Sequence, residues 1–119
     1  MRVIVAGTRT APEDADLVTR AISGLGIVVT EVVCGGAPGA DTAGQLWAEF
    51  RGIPVKKFEP AWDIHGRAAG PIRNRAMAEY ADFLVALWDG KSPGTANMIA
   101  EATRQGLHVF VYPLPEDDR

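Results

Sequence analysis

The sequence predicts an α/β fold, a parallel five-stranded sheet with helices on both faces. Three observations lead there. Short, continuously apolar runs such as Val3 to Ala6 and Phe83 to Trp88 lack the alternation of half-exposed strands, as strands buried inside a parallel sheet do. Segments with helical spacing separate these runs, and glycine-bearing turns stand where strand passes into helix.

The first strand covers Arg2 to Ala6 and runs into the turn Gly7-Thr8-Arg9. Thr10 and Glu13 have capping-box spacing, Pro12 suits a first helical turn, and Leu17, Val18, Ala21, Ile22 and Leu25 make one apolar face. A first helix is therefore expected, ended by Gly24 and Gly26. Ile27 to Val33 reads as the second strand, followed by the turn Cys34-Gly35-Gly36-Ala37-Pro38-Gly39-Ala40-Asp41. Ala43, Leu46, Trp47 and Phe50 then mark the apolar face of a second helix that stops at Gly52, two residues before Pro54.

Val55 to Phe58 reads as a third strand, and Glu59 to Gly70, punctuated by Pro60 and Gly66, as a long loop. A third helix is expected from Pro71 to about Tyr80. Asp82 to Trp88 is the most continuously apolar run and reads as a central strand. Lys91-Ser92-Pro93-Gly94 makes a second strand-to-helix turn, Thr95 to Gln105 a fourth helix and Leu107 to Tyr112 a fifth strand. The longest connection separates strands three and four, where a Rossmann-like order 3-2-1-4-5 needs its long crossover; a flavodoxin-like order is the alternative.

With 119 residues the chain reads as a single domain, residues 1–113, followed by an acidic frayed tail, 114–119. A net charge of −3 argues against nucleic acid as the main partner. A single cysteine, Cys34, rules out an intramolecular disulfide and reads as a small buried hydrophobe at a strand end. No signal peptide and no apolar run of membrane-spanning length is present, so a cytoplasmic protein without membrane contact is expected.

In a sheet of this kind ligands bind outside the carboxyl ends of the strands, at the point where the strand order reverses. The loops arriving there are Gly7-Thr8-Arg9, Gly35 to Asp41 and Asp89 to Thr95. Glycines let backbone amides approach a ligand, and a following helix adds the positive end of its dipole, so these turns suit phosphate. The same glycines also suit a tight connection with no ligand. His65, Arg67, Arg73 and Arg75 concentrate cations in an acidic chain, with Arg73 and Arg75 expected in the first turn of the third helix. Trp62 either stacks on a base or pins its loop to the core, whereas Trp47 belongs to the core.

Other signals are excluded. Gly90-Lys91-Ser92 resembles the end of a Walker A loop, but the required earlier glycine is Val85. The first turn has no G-x-G-x-x-G, which argues against an ordinary NAD dehydrogenase. His65, His108 and Cys34 stand at unrelated positions and form no metal-ligand pattern.

Gly7-Thr8-Arg9, Gly35-Gly36-Ala37-x-Gly39-Ala40-Asp41, Gly52-Ile53-Pro54, Trp62, Arg73-Asn74 and Trp88-Asp89-Gly90-x-Ser92-x-Gly94-Thr95 resemble the pattern of small SLOG proteins of the YspA type, related to YpsA. The resemblance spans nearly the whole chain. It implies a Rossmann-like fold that binds, and in some branches cleaves, nucleotides and nucleotide-derived ligands such as ADP-ribose. The chain is more distantly similar to the LOG phosphoribohydrolases, which cut the N-glycosidic bond of nucleoside monophosphates. Arg73 is the nearest counterpart of their arginine, but Met98 stands where they carry a catalytic glutamate.

Three functions follow as expectations. The first is a module binding a nucleotide-derived ligand of the ADP-ribose, NAD or nucleoside monophosphate class. Phosphates would rest on the amides of Gly35 to Gly39, Gly36 included, and of Gly94 to Thr95; Gly7, Thr8, Ala40 and Ser92 would line the site. Arg9 and Arg73 would neutralise charge beside Asn74, Asp41 or Asp89 would hold ribose, and Trp62 would cover the base. The second is an N-glycosidase in which Asp41 or Asp89 stabilises an oxocarbenium-like transition state. The third is a non-catalytic assembly module. A homodimer or higher homo-oligomer is expected, and no cofactor beyond the nucleotide ligand.

Overall fold

The computed structural model describes residues 1–114. The chain runs β1 (Arg2–Gly7), α1 (Ala15–Ile22), β2 (Glu31–Cys34), α2 (Ala40–Phe50), β3 (Val55–Lys57), α3 (Trp62–His65), a 3-10 turn (Gly66–Ala68), α4 (Ala69–Tyr80), β4 (Phe83–Trp88), α5 (Pro93–Arg104) and β5 (His108–Pro113). All adjacent strands are parallel, in the order β3-β2-β1-β4-β5. This is the Rossmann-like order.

Successive residues of a strand face opposite sides, and both sides are covered. Val3 and Val5 pack with Leu17, Val18, Ala43 and Trp47 of α1 and α2. Ile4 and Ala6 pack with Met77, Ala78, Met98 and Ala102 of α4 and α5. Burying each such aliphatic side chain contributes roughly 1.5–3 kcal/mol, which is why the central strands show no polar alternation. Gly44 lets α2 sit close on β1, since a Cβ there would come within 2.6 Å of the Val5 side chain.

Several boundaries differ from the sequence reading. Helix α1 starts at Ala15 with Asp14 as its cap, whose carboxylate accepts from the Asp16 amide (3.0 Å). Thr10 and Glu13 therefore form no capping box, and Glu13 reaches the second glycine turn instead. Strand β2 starts only at Glu31 because its neighbour β1 starts at Arg2, directly opposite. Ile27 and Val29 pack against the core from outside the sheet. Phe50 is 81% exposed rather than apolar-face, because Ala40, Ala43, Gly44, Trp47 and Ala48 fill the buried side of α2.

The expected loop from Glu59 to Gly70 contains α3, the 3-10 turn and the start of α4. Pro71 is the third residue of α4, where an amide has no intrahelical partner to lose. Leu114, read as part of the tail, is buried, and its amide donates to the Trp88 carbonyl (2.9 Å). The rest of that expectation, 115–119, lies outside the described residues. Among the described residues no helix is long and apolar enough to cross a membrane.

Candidate functional site

A cleft of about 640 Å³ opens at the carboxyl ends of β1 and β4, within the usual range for small-molecule sites. Its walls come from the β1–α1, β2–α2 and β4–α5 loops, from Trp62, and from the first turns of α4. Of the five buried polar or charged side chains among the described residues, Thr8, Asp41, Asn74 and Thr95 line this cleft. Buried polar groups are kept where they have partners, so the hydrogen bonds decide what is left for a ligand.

The first and third loops are clipped together. Thr8 Oγ1 accepts from the Asp89 amide (3.0 Å), and the Ser92 hydroxyl lies 3.4 Å from it. Asp89 Oδ1 accepts from the Lys91 and Ser92 amides, both at 2.8 Å, and from the Ser92 hydroxyl (3.0 Å). These bonds make Asp89 the organiser of its own turn. Gly7 is required by close approach, because a Cβ would overlap the Leu87 carbonyl.

The Gly35 to Asp41 turn is held by the protein's own oxygens. Asp41 Oδ2 accepts from the Gly35 (2.9 Å) and Ala37 (3.3 Å) amides. Gly39 donates its amide to Glu13 Oε2 (2.9 Å), and Ala40 to the Thr8 carbonyl (3.1 Å). Burial pushes the pKa of the Cys34 thiol up, against the opposing pull of the Gly36 amide. The amides of Gly35, Ala37, Gly39 and Ala40 in this turn are thus already engaged. Asp41 is 5% exposed, and burial raises its pKa against the opposing pull of those amides and of Arg73 and Arg9.

Arg73 is the fifth residue of α4, not a first-turn residue as the sequence suggested. Its guanidinium bonds the carbonyls of Gly35 (3.0 Å) and Phe58 (3.3 Å), and its Nε bonds Asn74 Oδ1 (3.0 Å). Burial lowers its pKa, with Asp41 opposing the shift. A Cβ on Gly35 would overlap this guanidinium, so the arginine holds its place only over a glycine. Asn74 donates to Asn97 Oδ1 (2.9 Å) and the Gly94 carbonyl (3.3 Å), joining α4 to the start of α5.

The start of α5 is different. Its cap residue Ser92 makes no side-chain cap bond, and its first turn carries no acidic residue. The amides of Gly94 and Thr95 have no acceptor among the described residues. Gly94 is the one glycine with neither a positive φ nor any atom within 4 Å of an added Cβ. Nothing among the described residues requires a glycine there.

Arg9 is exposed and lines the cleft, as does Trp62, whose indole is 51% exposed with Gly70 beneath its edge. Trp62 is therefore a rim residue and not a core pin. The remaining cations do not gather here: His65 and Arg67 are exposed outside the cleft walls, and Arg75 pairs with Glu101 (3.4 Å). Glu101 is buried between Arg75 and Arg104, so it does not replace the missing LOG-type glutamate. Met98 lies on the cleft wall. Two residues that the sequence reading missed are Glu13 and Asn97. Asn97 lies one turn after Gly94 on the same helix face, a signal present in the spacing, whereas the Glu13 contact is 26 residues distant in the chain.

A second hollow of about 300 Å³ adjoins the first. Arg9, Ala37, Trp62 and Arg73 line both.

No curated protein sequence matches this chain. The fold is similar to an X-ray structure of DNA processing protein A (DprA) from Streptococcus pneumoniae, with a TM-score of 0.75 and 22% identity over 98% of this chain and 52% of that one. This chain thus spans about half the length of that protein. The model of the YspA, cpYpsA-related SLOG family matches residues 1–65, from β1 through α3. The chain belongs to that SLOG family.

Proposed function

We propose that the protein binds a nucleotide-derived ligand in the 640 Å³ cleft, with a phosphate on the open end of α5. The observation that carries this reading is the pair of amides at Gly94 and Thr95, without acceptors, beside a glycine that the fold does not need. A helix N-terminus with unsatisfied amides favours an anion, and Arg9 and Arg73 on the cleft walls add positive charge. Trp62, half exposed on the rim, offers a face on which a base can stack. Asp41 faces the same cleft and is a candidate for ribose hydroxyls. SLOG membership supports the ligand class.

The test is thermal unfolding and tryptophan fluorescence with AMP, ADP and NAD. A ligand that binds only the folded state must raise its stability, by about 2.7 kcal/mol at one hundred times its Kd. Stacking on Trp62 quenches emission, and Trp62→Phe removes that change while keeping an aromatic face. No stabilisation by any of the three overturns the proposal.

Cleavage of the N-glycosidic bond is a second reading, and the buried carboxylate of Asp41 on the cleft wall favours it. Proton NMR of the ribose anomeric signals over hours separates the two: free base and sugar phosphate mean hydrolysis, unchanged nucleotide means binding alone. Asp41→Asn should then abolish turnover while leaving binding. DprA is named a DNA processing protein, which raises DNA as another phosphate-bearing ligand. A net charge of −3 weighs against it. Self-association is supported by Ile64 and Ile72, exposed on α3 and α4, and sedimentation analysis tests it.

A further inference from the structure

We infer that Asn97 donates a hydrogen bond to the ligand's phosphate at the start of α5, and that Asn74 is the positioning residue that turns the Asn97 amide to do so. The inference rests on nucleotide binding in the larger cleft, with its phosphate at Gly94 and Thr95. A carboxamide has one end that accepts and one that donates, so its orientation decides what it can recognise. Here the neighbours fix that orientation. Arg73 Nε can only donate, so the oxygen of Asn74 must face it (3.0 Å). The Gly94 carbonyl can only accept, so the nitrogen of Asn74 must face that side (3.3 Å). The same nitrogen meets Asn97 Oδ1 (2.9 Å), which leaves the NH2 of Asn97 as its outward end.

That NH2 has no acceptor among the described residues, and Asn97 lines the cleft. Helical side chains lean towards the N-terminus of their helix, and Asn97 follows Gly94 by three residues, so its head lies over the open first turn. A second group on this wall is also unpartnered: Thr95 is 5% exposed, and its hydroxyl has no hydrogen bond among the described residues. The internal bond needs only an oxygen at position 97, which an aspartate would supply as well. Only a partner outside the protein needs the nitrogen. Two backbone amides, a hydroxyl and an NH2 together suit a group that offers acceptors alone, as an ionised phosphate does. The chain of bonds begins on a guanidinium, which polarises each amide in turn and strengthens the last donor.

The experiment is calorimetry with AMP, ADP and NAD on the full chain, for the wild type, Asn97→Asp and Asn74→Asp. It is paired with NMR of the Asn97 side-chain amide protons, assigned by their loss in Asn97→Asp. In the wild type the nucleotides should move these signals downfield, whereas adenosine at the same concentration should not. The Asn74 NH2 signals, engaged inside the protein, should move less. Asn97→Asp should weaken each nucleotide by roughly tenfold or more, the loss of one hydrogen bond to a charged group. Its urea midpoint should hold, because the new carboxylate still accepts from Asn74. Asn74→Asp still accepts from Arg73 but has no N–H to offer, so Asn97 turns its NH2 inward. Affinity should fall comparably, and the Asn97 signals should stop responding. A purely structural Asn74 would lower the midpoint and leave that response in place.

Three results overturn the inference. If the Asn97 signals ignore bound nucleotide, or Asn97→Asp binds as tightly as the wild type, Asn97 is no phosphate contact while nucleotide binding stands. If the Asn74 signals move as far as those of Asn97, or Asn74→Asp keeps both affinity and response, Asn74 does not act through Asn97. If none of the three nucleotides binds the wild type, the inference falls together with the proposed function.

Discussion

The two glycine-bearing turns that lead into helices look alike as sequence and differ in what they leave open. Before α2, the amides of Gly35, Ala37, Gly39 and Ala40 donate to Asp41, Glu13 and the Thr8 carbonyl. Asp41 also stands in the first turn of α2, where its negative charge complements the positive end of the helix dipole. Before α5, the amides of Gly94 and Thr95 have no acceptor among the described residues, and the first turn carries no acidic residue. One turn is a clasp that uses its glycines to fit the protein's own atoms. The other is left with donors to offer. A glycine-rich turn therefore signals a phosphate site only after its internal acceptors have been traced.

The comparison breaks most visibly at Gly39. Its φ is +78°, and a Cβ would overlap the backbone carbonyls of Thr8 and Arg9. Gly39→Ala should lose at least about 2 kcal/mol of stability, read by urea unfolding. An unchanged midpoint would mean that the clasp is looser than described.

Gly94→Ala is the mirror experiment. Stability should hold or rise by about 0.4–1 kcal/mol, because the unfolded chain loses freedom and the folded one meets no clash. Nucleotide affinity should fall by roughly tenfold, about 1.4 kcal/mol, as the methyl crowds a phosphate at the helix end. Retained affinity in calorimetry would move the phosphate away from α5.

Glu13→Gln keeps an acceptor for the Gly39 amide but removes its charge. A loss of about 1 kcal/mol in stability is expected, with nucleotide affinity unchanged. If affinity rises instead, Glu13 competes with the ligand, and the α2 turn is a phosphate site after all.

The smallest effect is a pH dependence at Asp41. Burial raises its pKa above the ordinary 3.8, so over that interval the native state holds a proton that the unfolded chain has lost. Its contribution to stability is therefore most favourable below about pH 4 and declines as pH rises through the raised native value. The wild type minus Asp41→Asn stability difference should decline across that window. An increase would show that the amides and arginines outweigh desolvation.

Much of this was legible in the chain. The strands β1 and β4 announced themselves by apolar runs that both faces of a parallel sheet require, and the long β3–β4 connection implied the strand order. The three loops and Arg73, Asn74 and Trp62 were legible because a parallel sheet brings strand ends and helix starts to one edge. The start of β2 was not, since it depends on where its neighbour begins. Nor was the helix inside the Glu59 to Gly70 segment, where Pro and Gly suggested a loop.

By itself the sequence determined the strands, the order of elements and the residues at the sheet's carboxyl edge, because local periodicity and connection length carry that information. Only the tertiary structure decided which amides are spent and which are open. Glu13 meets Gly39 across 26 residues and Arg73 meets Gly35 across 38, and such pairings depend on distances set by packing rather than by neighbours in the chain. The same turn chemistry thus became a clasp at α2 and an open donor pair at α5.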